Sequence, residues 1–308
     1  MRAFIFPGQG SQAVGMGAAL ADASRAARDV FDEVDEALGQ NLFRLMLDGP
    51  DEELKLTENA QPAIMAHSIA VLRTMGVRLE DVAKFVAGHS LGEYSALCAA
   101  GSFDLSTTAK LLKLRGQAMQ QAVPVGEGAM AALLGADLAL AQKIAEAASE
   151  GEVCTVANDN DPSQVVISGQ KAAIDRAIAI AKGMGAKRAV PLSVSAPFHC
   201  PLMQPAAEAM GDALSYVVLE KPAVPVFANV TAQPESDPDM IRNQLVDQVT
   251  GMVRWRESVA NMFDAGVHEF VEIGGKVLGS MVKRTVPDAQ VTSVVTIEDI
   301  EAAAKEIA

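Results

Sequence analysis

A serine between two glycines is the residue of this chain best suited to nucleophilic chemistry. Segment 88–92 reads GHSLG and fits the pattern G-x-S-x-G, in which the sharp turn from strand to helix leaves no room for larger side chains at the glycines. The apolar run 85–87 before it predicts a buried strand, and helical spacing begins at Glu93. Ser90 is therefore expected near a helix N-terminus, where the N–H of Leu91 can bind a developing oxyanion.

A serine hydroxyl also needs a base that takes its proton, and the chain has four histidines. His67 lies in an apolar helical run, which is typical of a core histidine, and His268 lies in a turn before a strand, which indicates the surface. His89 is next to the serine, but neighbouring side chains on a tight turn diverge. His199 lies in a loop bracketed by Pro197 and Pro201, so we predict it to be the base. The alternative is a loop histidine without a role.

A single arginine in an apolar helix suggests how an acyl group could be selected. Arg115 lies on the predicted helix 108–121 among Leu111, Leu112 and Leu114. A guanidinium facing a pocket can bind a carboxylate through two parallel hydrogen bonds, which selects an acyl group that carries its own negative charge. The alternatives are a solvated face and a salt bridge to one of the many carboxylates.

The order of predicted elements places these residues in a large α/β domain. Segment 3–6 is apolar and ends at Pro7-Gly8, which indicates a buried strand that leaves the sheet through a glycine-rich turn. Further strands are predicted at 226–230, 269–273 and 291–296. Apolar residues at helical spacing predict helices at 18–47, 62–72, 204–214 and 241–263.

The middle of the chain has a different texture. The predicted elements there are strands at 130–134, 153–157, 165–168 and 188–192, with helices at 139–148 and 172–184. This β-α-β-β-α-β order is typical of a ferredoxin-like unit. We therefore predict a large hydrolase-like α/β domain formed by residues 1–123 and 195–308, with an inserted ferredoxin-like subdomain at 124–194.

Composition limits the classes of partner. The 308 residues carry a formal charge of -14 from 25 basic and 39 acidic side chains, which would repel nucleic acid. No run approaches the roughly 18 apolar residues of a membrane span, so we expect a cytoplasmic protein and, by default, a monomer. An acidic partner would need a local basic patch, for which Lys276, Lys283 and Arg284 are candidates.

The cysteines do not indicate a disulfide framework or a metal site. Cys98, Cys154 and Cys200 are odd in number, widely spaced and outside any CxxC pattern. We expect them to be reduced and mostly buried, and we expect no metal.

Several separated motifs together resemble one family. They are FPGQGSQ at 6–12, GHSLGEY at 88–94, ANDN at 157–160, Phe198-His199, and Gln248 seven residues before Trp255. In this order they resemble the malonyl-CoA:acyl-carrier-protein transacylases of type II fatty acid synthesis, and the likeness extends from the first strand to segment 274–276. Phe198 is larger than the residue that some members carry there, so the tolerance for substituted malonyl groups stays open.

The resemblance implies a ping-pong acyl transfer. Ser90 would take the malonyl group from malonyl-CoA, the phosphopantetheine thiol of acyl carrier protein would collect it, and His199 would be the base and acid of both halves. It also implies that Gln9 helps Leu91 to bind the oxyanion, that Arg115 pairs with the malonyl carboxylate, and that the main-chain carbonyl of Gln248 orients His199. Gln248, Asn158 and Asn160 would lie with Arg115 at the substrate. No cofactor is expected besides the two thioester substrates.

Three other functions remain open. A stand-alone acyltransferase that serves a polyketide synthase would have the same residues but another carrier or extender unit. A carboxylesterase or thioesterase of the α/β-hydrolase fold would fit G-x-S-x-G, but the inserted unit and the missing acid between Ser90 and His199 disfavour it. A non-catalytic module that binds CoA esters would require both residues to be incidental.

Overall fold

Two β-sheets of different kinds organise the chain, which a computed structural model describes over residues 1–307. The strands are β1 (Arg2–Phe6), β2 (Phe85–Gly88), β3 (Gly128–Leu134), β4 (Cys154–Asp161), β5 (Gln164–Gln170), β6 (Arg188–Pro191), β7 (Val226–Phe227), β8 (Pro234–Glu235), β9 (Glu269–Ile273) and β10 (Gln290–Val294). The six-stranded sheet has the order β10-β9-β1-β2-β7-β8, and the four-stranded sheet has the order β4-β5-β3-β6. This mixed α/β architecture confirms the predicted fold class.

Helices cover both sheets. They are α1 (Ala18–Ala23), α2 (Arg25–Leu38), α3 (Leu42–Asp48), α4 (Asp51–Leu54), α5 (Thr57–Met75), α6 (Leu79–Val82), α7 (Leu91–Ala99), α8 (Leu105–Ala122), α9 (Leu138–Ser149), α10 (Lys171–Met184), α11 (Gln204–Ser215), α12 (Pro238–Thr250), α13 (Trp255–Asp264), α14 (Leu278–Thr285) and α15 (Ile297–Ile307). A short 3-10 helix, Pro201–Met203, precedes α11.

The large sheet is buried on both faces. Strand β1 lies between β9 and β2 and pairs in parallel with both. Its alternate residues enter different cores: Phe4 and Phe6 pack on one face, and Ala3 and Ile5 pack on the other. Because parallel strands end at the same edge, the loops after β1 and β2 meet there, and this is where α/β sheets bind their ligands.

The small sheet is antiparallel and has the strand order of a ferredoxin-like unit. Ala131 and Leu133 of β3 pack with α9 and α10, whereas Met130 and Ala132 join the core of the large domain. The strands span Gly128–Pro191 and lie within the predicted segment 124–194. The exact limits of the subdomain stay a prediction.

Strand β4, at one edge of the small sheet, fastens the subdomain to the large domain. The N–H of Asp159 donates to the carbonyl of Val253 at 3.0 Å. The buried carboxylates of Asp159 and Asp161 bind Arg256 and Arg284, each at 2.8 Å. Arginines of the large domain therefore compensate the charges of two aspartates of the subdomain.

Some predicted elements differ from those observed. Segment 18–47 is three helices, since Ser24 caps a new helix and Gly39 ends it with a left-handed backbone, φ 57°. Segment 241–263 is likewise two helices, which separate at Gly251. The strand predicted at 226–230 keeps ladder pairing only at Val226–Phe227.

Candidate active site

Ser90 lies on a strained turn between β2 and α7. Its φ of 55° and ψ of -114° fall in a region that non-glycine residues rarely adopt. A Cβ on Gly88 would lie 1.8 Å from the carbonyl oxygen of Gly92, and one on Gly92 would lie 2.3 Å from that of Phe6. Only glycines fit this turn, as the sequence pattern predicted.

The side chain of Asn229, after β7, holds the turn. Its Oδ1 accepts from the N–H of Ser90 at 2.8 Å, and its Nδ2 donates to the carbonyl of Gly88 at 2.7 Å. The N–H of Ser90 is therefore occupied. Within residues 1–307 the N–H groups of Gln9 and Leu91 donate no hydrogen bond, which leaves both available for an oxyanion.

His199 contacts the serine directly. Its Nε2 lies 2.8 Å from the Oγ of Ser90, and its Nδ1 lies 2.8 Å from the main-chain oxygen of Gln248. A carbonyl only accepts, so the proton sits on Nδ1 and Nε2 is free to accept from the serine. The carbonyl of Gln248 is available because it belongs to the last turn of α12, and the negative end of that helix favours a protonated imidazole.

The imidazole is neutral in the resting site. Burial, followed by the positive charge of Arg115, lowers the pKa of His199 to about 3. A neutral ring can take the proton of Ser90 as soon as the serine attacks.

Arg115 reaches the serine from α8. It lies on the buried stripe of that helix with Leu111 and Leu112, and it is 1% exposed, which rules out a solvated face. Its Nη2 donates to the Oγ of Ser90 at 3.2 Å and to the Oε1 of Gln248 at 2.8 Å. Its Nη1 donates to the Oε1 of Gln61 at 2.8 Å.

The contacts of Arg115 are to neutral oxygens. Within residues 1–307 its guanidinium forms no salt bridge, although it lies 5.7 Å from the ring centre of Tyr94. A buried cation without a carboxylate partner is costly, so the site is prepared for a ligand that carries one.

Glu93 is the buried carboxylate nearest to this group. Its Oε2 accepts from the Nε2 of Gln248, 2.6 Å away, and from the N–H of Asn229, 3.2 Å away. Burial raises the pKa of Glu93 to about 7 against the effect of these hydrogen bonds, which lower it.

A cavity of about 380 Å³ opens onto the serine and is large enough for a small acyl thioester. Its walls come from both domains and include Gln9, Leu91, Met130, Asn158 and Phe198. A second cavity of about 800 Å³ adjoins it at Gly10 and Gln12 but is lined by none of the predicted site residues. The smaller cavity is therefore the candidate active site.

Two predicted substrate contacts lie behind the wall of this cavity. Gln248 is fully buried, and its amide serves Arg115 and Glu93. Asn160 is 5% exposed, and its Oδ1 lies 2.8 Å from the Nε2 of His89. Without a ligand both side chains contact other residues of the site, whereas Asn158 lines the cavity, and the contacts of all three with the substrate stay a prediction.

The other histidines lie where the sequence placed them. His89 faces Asn160 and packs 5.7 Å from the ring of Trp255, away from the serine hydroxyl. His67 is buried with its Nδ1 3.2 Å from the carbonyl oxygen of Gly274, and His268 is exposed.

Four residues that support the site carried no predicted role. Thr57 and Gln61 are one helical turn apart on α5, and they connect Arg115 to the side chain of Gln9 through hydrogen bonds of 2.9 and 3.1 Å. Glu93 belongs to the serine motif itself, and Asn229 follows a buried strand. Polar residues in apolar helices, such as Gln61 and Glu93, were a usable signal.

Two of the three candidate docking cations are engaged within the chain. Arg284 binds Asp161 at 2.8 Å, and Lys276 lies 3.6 Å from Asp299. The predicted basic patch is therefore weaker than the sequence suggested. Residues 1–307 contain no cluster of three side chains suited to a metal ion, and no helix in that range combines the length and the apolar character needed to cross a membrane.

Comparison with known proteins agrees with this geometry. Residues 3–300 match the model of the acyl transferase domain family. The chain is 46% identical to the malonyl CoA-acyl carrier protein transacylase of Haemophilus influenzae over 294 residues, which cover 95% of this chain and 94% of that relative.

Solved structures are similar over the same length. The acyl-carrier-protein-S-malonyltransferase of Bartonella henselae has a TM-score of 0.97 and 52% identity, with 99% of each chain covered. A malonyl-transacylase solved in complex with a type II PKS acyl-carrier protein has a TM-score of 0.96 and 40% identity, again with 99% of each chain covered. The chain is therefore an acyltransferase and belongs to the malonyl CoA-acyl carrier protein transacylase family.

Proposed function

We propose that this enzyme transfers the malonyl group of malonyl-CoA to the phosphopantetheine thiol of acyl carrier protein through a malonyl ester of Ser90. The observation that carries the proposal is the buried guanidinium of Arg115, which lies 3.2 Å from the Oγ of Ser90 and has no carboxylate partner within residues 1–307. An acyl group with its own carboxylate supplies that partner. An acetyl group does not.

The first half-reaction acylates the serine. His199 Nε2 takes the proton of Ser90 while the Oγ attacks the thioester carbonyl, and the N–H groups of Gln9 and Leu91 bind the oxyanion. When the C–S bond breaks, His199 returns the proton to the sulfur, so free CoA leaves. In the free enzyme the positive charge of Arg115 helps to lower the pKa of His199. The malonyl carboxylate compensates this charge, so the pKa of His199 rises and the base becomes stronger once the substrate is bound.

The second half-reaction reverses these steps with a different thiol. His199 takes the proton of the phosphopantetheine thiol, the sulfur attacks the malonyl ester, and the serine regains its proton. Transfer competes with hydrolysis, and an acyl group that fills the cavity between the two domains limits access of water to the ester. The buried guanidinium of Arg115 holds the carboxylate of the acyl group away from solvent.

We also propose a monomeric, cytoplasmic working form that needs no metal or cofactor. The carrier protein of fatty acid synthesis is the proposed acceptor. A polyketide carrier is a second candidate, favoured by the similarity to the malonyl-transacylase solved with a type II PKS acyl-carrier protein. Assays of the purified enzyme against both kinds of carrier identify the acceptor, and the same assays with a chelator test the need for a metal. Light scattering gives the oligomeric state.

The central test is the covalent intermediate. Intact mass spectrometry after mixing with malonyl-CoA is expected to show one malonyl group on the protein, which carrier protein then removes. Ser90→Ala is expected to abolish this adduct because the attacking oxygen is gone.

Ser95→Ala, on the same helix and buried away from the cavity, is the matched control and should retain the adduct. An adduct of unchanged yield in Ser90→Ala would refute the assignment. Rapid turnover of neutral esters by the wild type would instead indicate an esterase.

A further inference from the structure

Among residues 1–307, Glu93 is the one buried carboxylate near Ser90 that takes no part in the proposed acyl transfer. The other buried acids have evident partners: Asp159 and Asp161 bind arginines, and Glu272 accepts from three N–H groups at the start of α14. Glu93 contacts only neutral donors, and within residues 1–307 it forms no salt bridge. Its placement must serve another residue.

Gln248 is that residue, because it connects the base and the cation of the site. Its main-chain oxygen accepts from His199, and its Oε1 accepts from Arg115 at 2.8 Å. Its Nε2 donates to Glu93 at 2.6 Å and to the main-chain oxygen of Ser90 at 3.1 Å. Every polar group of this side chain is used.

An amide between a carboxylate and a guanidinium has one acceptable orientation. The Oε2 of Glu93 accepts both of its hydrogen bonds and a guanidinium only donates, so the NH₂ must face Glu93 and the oxygen must face Arg115. Without Glu93 one N–H of Gln248 loses its acceptor, and a rotated amide would present N–H groups to the guanidinium. Arg115 would then lose the contact that directs its Nη2 toward Ser90.

We propose that Glu93 is a positioning residue that fixes the amide of Gln248 and thereby the direction in which Arg115 faces the acyl group. The arrangement also keeps Glu93 off the guanidinium by one intervening amide, so it does not compete with the substrate carboxylate. Glu93 accepts from the N–H of Asn229 as well, whose side chain holds the turn at Ser90. This inference rests on the proposed malonyl transfer.

The test compares two substitutions at this position. Glu93→Ala removes the acceptor and is expected to lower kcat/KM for malonyl-CoA on the order of 10- to 100-fold, the usual effect of leaving a buried polar group unpaired. Acetyl transfer, which does not use Arg115, is expected to fall much less. Glu93→Gln keeps an oxygen that can accept both hydrogen bonds and is expected to restore most malonyl transfer and the malonyl-to-acetyl ratio.

Glu272→Ala is the matched control, because it removes a buried carboxylate whose partners, the start of α14 and Ser293 of β10, lie outside the site. It is expected to lower the melting temperature without changing the malonyl-to-acetyl ratio. Equal losses of malonyl and acetyl transfer in Glu93→Ala, or a Glu93→Gln enzyme as impaired as Glu93→Ala, would overturn the proposal.

Gln248→Leu covers the case in which Glu93→Ala does not fold. It removes the amide and keeps the main-chain carbonyl that binds His199, so it is expected to reproduce the malonyl-selective loss. In that background Glu93→Gln should leave the ratio unchanged, and a further change would contradict action through Gln248. If the wild type forms no malonyl ester at Ser90, that result contradicts the proposed function. It does not bear on whether Glu93 positions Gln248.

Discussion

At the scale of single residues, the environment of Arg115 says most about the acyl group. The guanidinium is held by the amide oxygens of Gln61 and Gln248, each at 2.8 Å, and its Nη2 lies 3.2 Å from the Oγ of Ser90. Amide oxygens fix its orientation without neutralising its charge. Selection of the acyl group is therefore expected to reside in this one side chain.

Replacing Arg115 should separate malonyl from acetyl transfer. Arg115→Ala is expected to lower kcat/KM for malonyl-CoA on the order of 100-fold, since truncating one partner of a buried charge pair costs about 2 to 5 kcal/mol. Arg115→Lys keeps the charge but lacks the planar fork, so an intermediate loss is expected. Steady-state assays with both CoA esters measure the effect, and the exposed Arg44→Ala is the control. Equal losses for the two esters would contradict selection by Arg115.

The sequence could identify site residues that lie in a short recognisable motif or differ from their neighbours in type, but not residues that act through contacts with distant parts of the chain. Ser90 and Leu91 follow from one five-residue pattern, and His199 and Arg115 stand out by type in their segments. The structure places them together, although their roles stay predictions. Glu93, Asn229 and Gln61 act through contacts with residues 54 to 155 positions away, and no local pattern records such pairs.

At the scale of elements, the turn between β2 and α7 is tightly constrained. Three features hold its conformation. Gly88 and Gly92 have no side chains that would clash with the neighbouring main chain, Asn229 accepts a hydrogen bond from the N–H of Ser90, and α7 begins at the next residue. A strained serine persists only when its surroundings determine its conformation.

Gly88→Ala tests this constraint. The added methyl group would overlap the main chain of Gly92, which cannot move without displacing Ser90, so loss of the malonyl adduct and a destabilisation of about 1 to 3 kcal/mol or more are expected. Gly183→Ala, in α10 with open space around its Cβ position, is the control and should be neutral or stabilising. Mass spectrometry and thermal unfolding give both readouts. Normal adduct formation in Gly88→Ala would show that the turn is tolerant.

Element types were easier to predict than element ends. Strands β1 and β2 were evident because strands buried on both faces are continuous apolar runs. The long helical segments 18–47 and 241–263 were predicted unbroken because apolar spacing continues through their turns. Their breaks depend on the cap at Ser24, the left-handed Gly39 and the turn at Gly251.

At the scale of the whole molecule, the two-domain plan followed from the change in element order, but the way the domains meet did not. The attachment is made by the irregular edge strand β4, whose ladder shifts register between Val156 and Asn158 and again between Asp159 and Asp161. These shifts accompany the placement of both buried aspartates against arginines of α13 and α14. Irregularities of pairing have no reliable signature in a single sequence.

The buried guanidinium of Arg115 also has a thermodynamic consequence for the enzyme as a whole. The free protein folds around a desolvated cation that has no carboxylate in direct contact, because the amide of Gln248 separates it from Glu93. A bound malonyl group is expected to supply that contact. The malonyl-Ser90 form is expected to melt at a higher temperature than the free enzyme, and more so than an acetyl-Ser90 form, in differential scanning calorimetry. Arg115→Ala should erase the difference between the two acyl forms, and an equal stabilisation by both in the wild type would contradict this reading. We therefore expect this enzyme to be most stable as the malonyl-Ser90 intermediate, in the middle of its catalytic cycle.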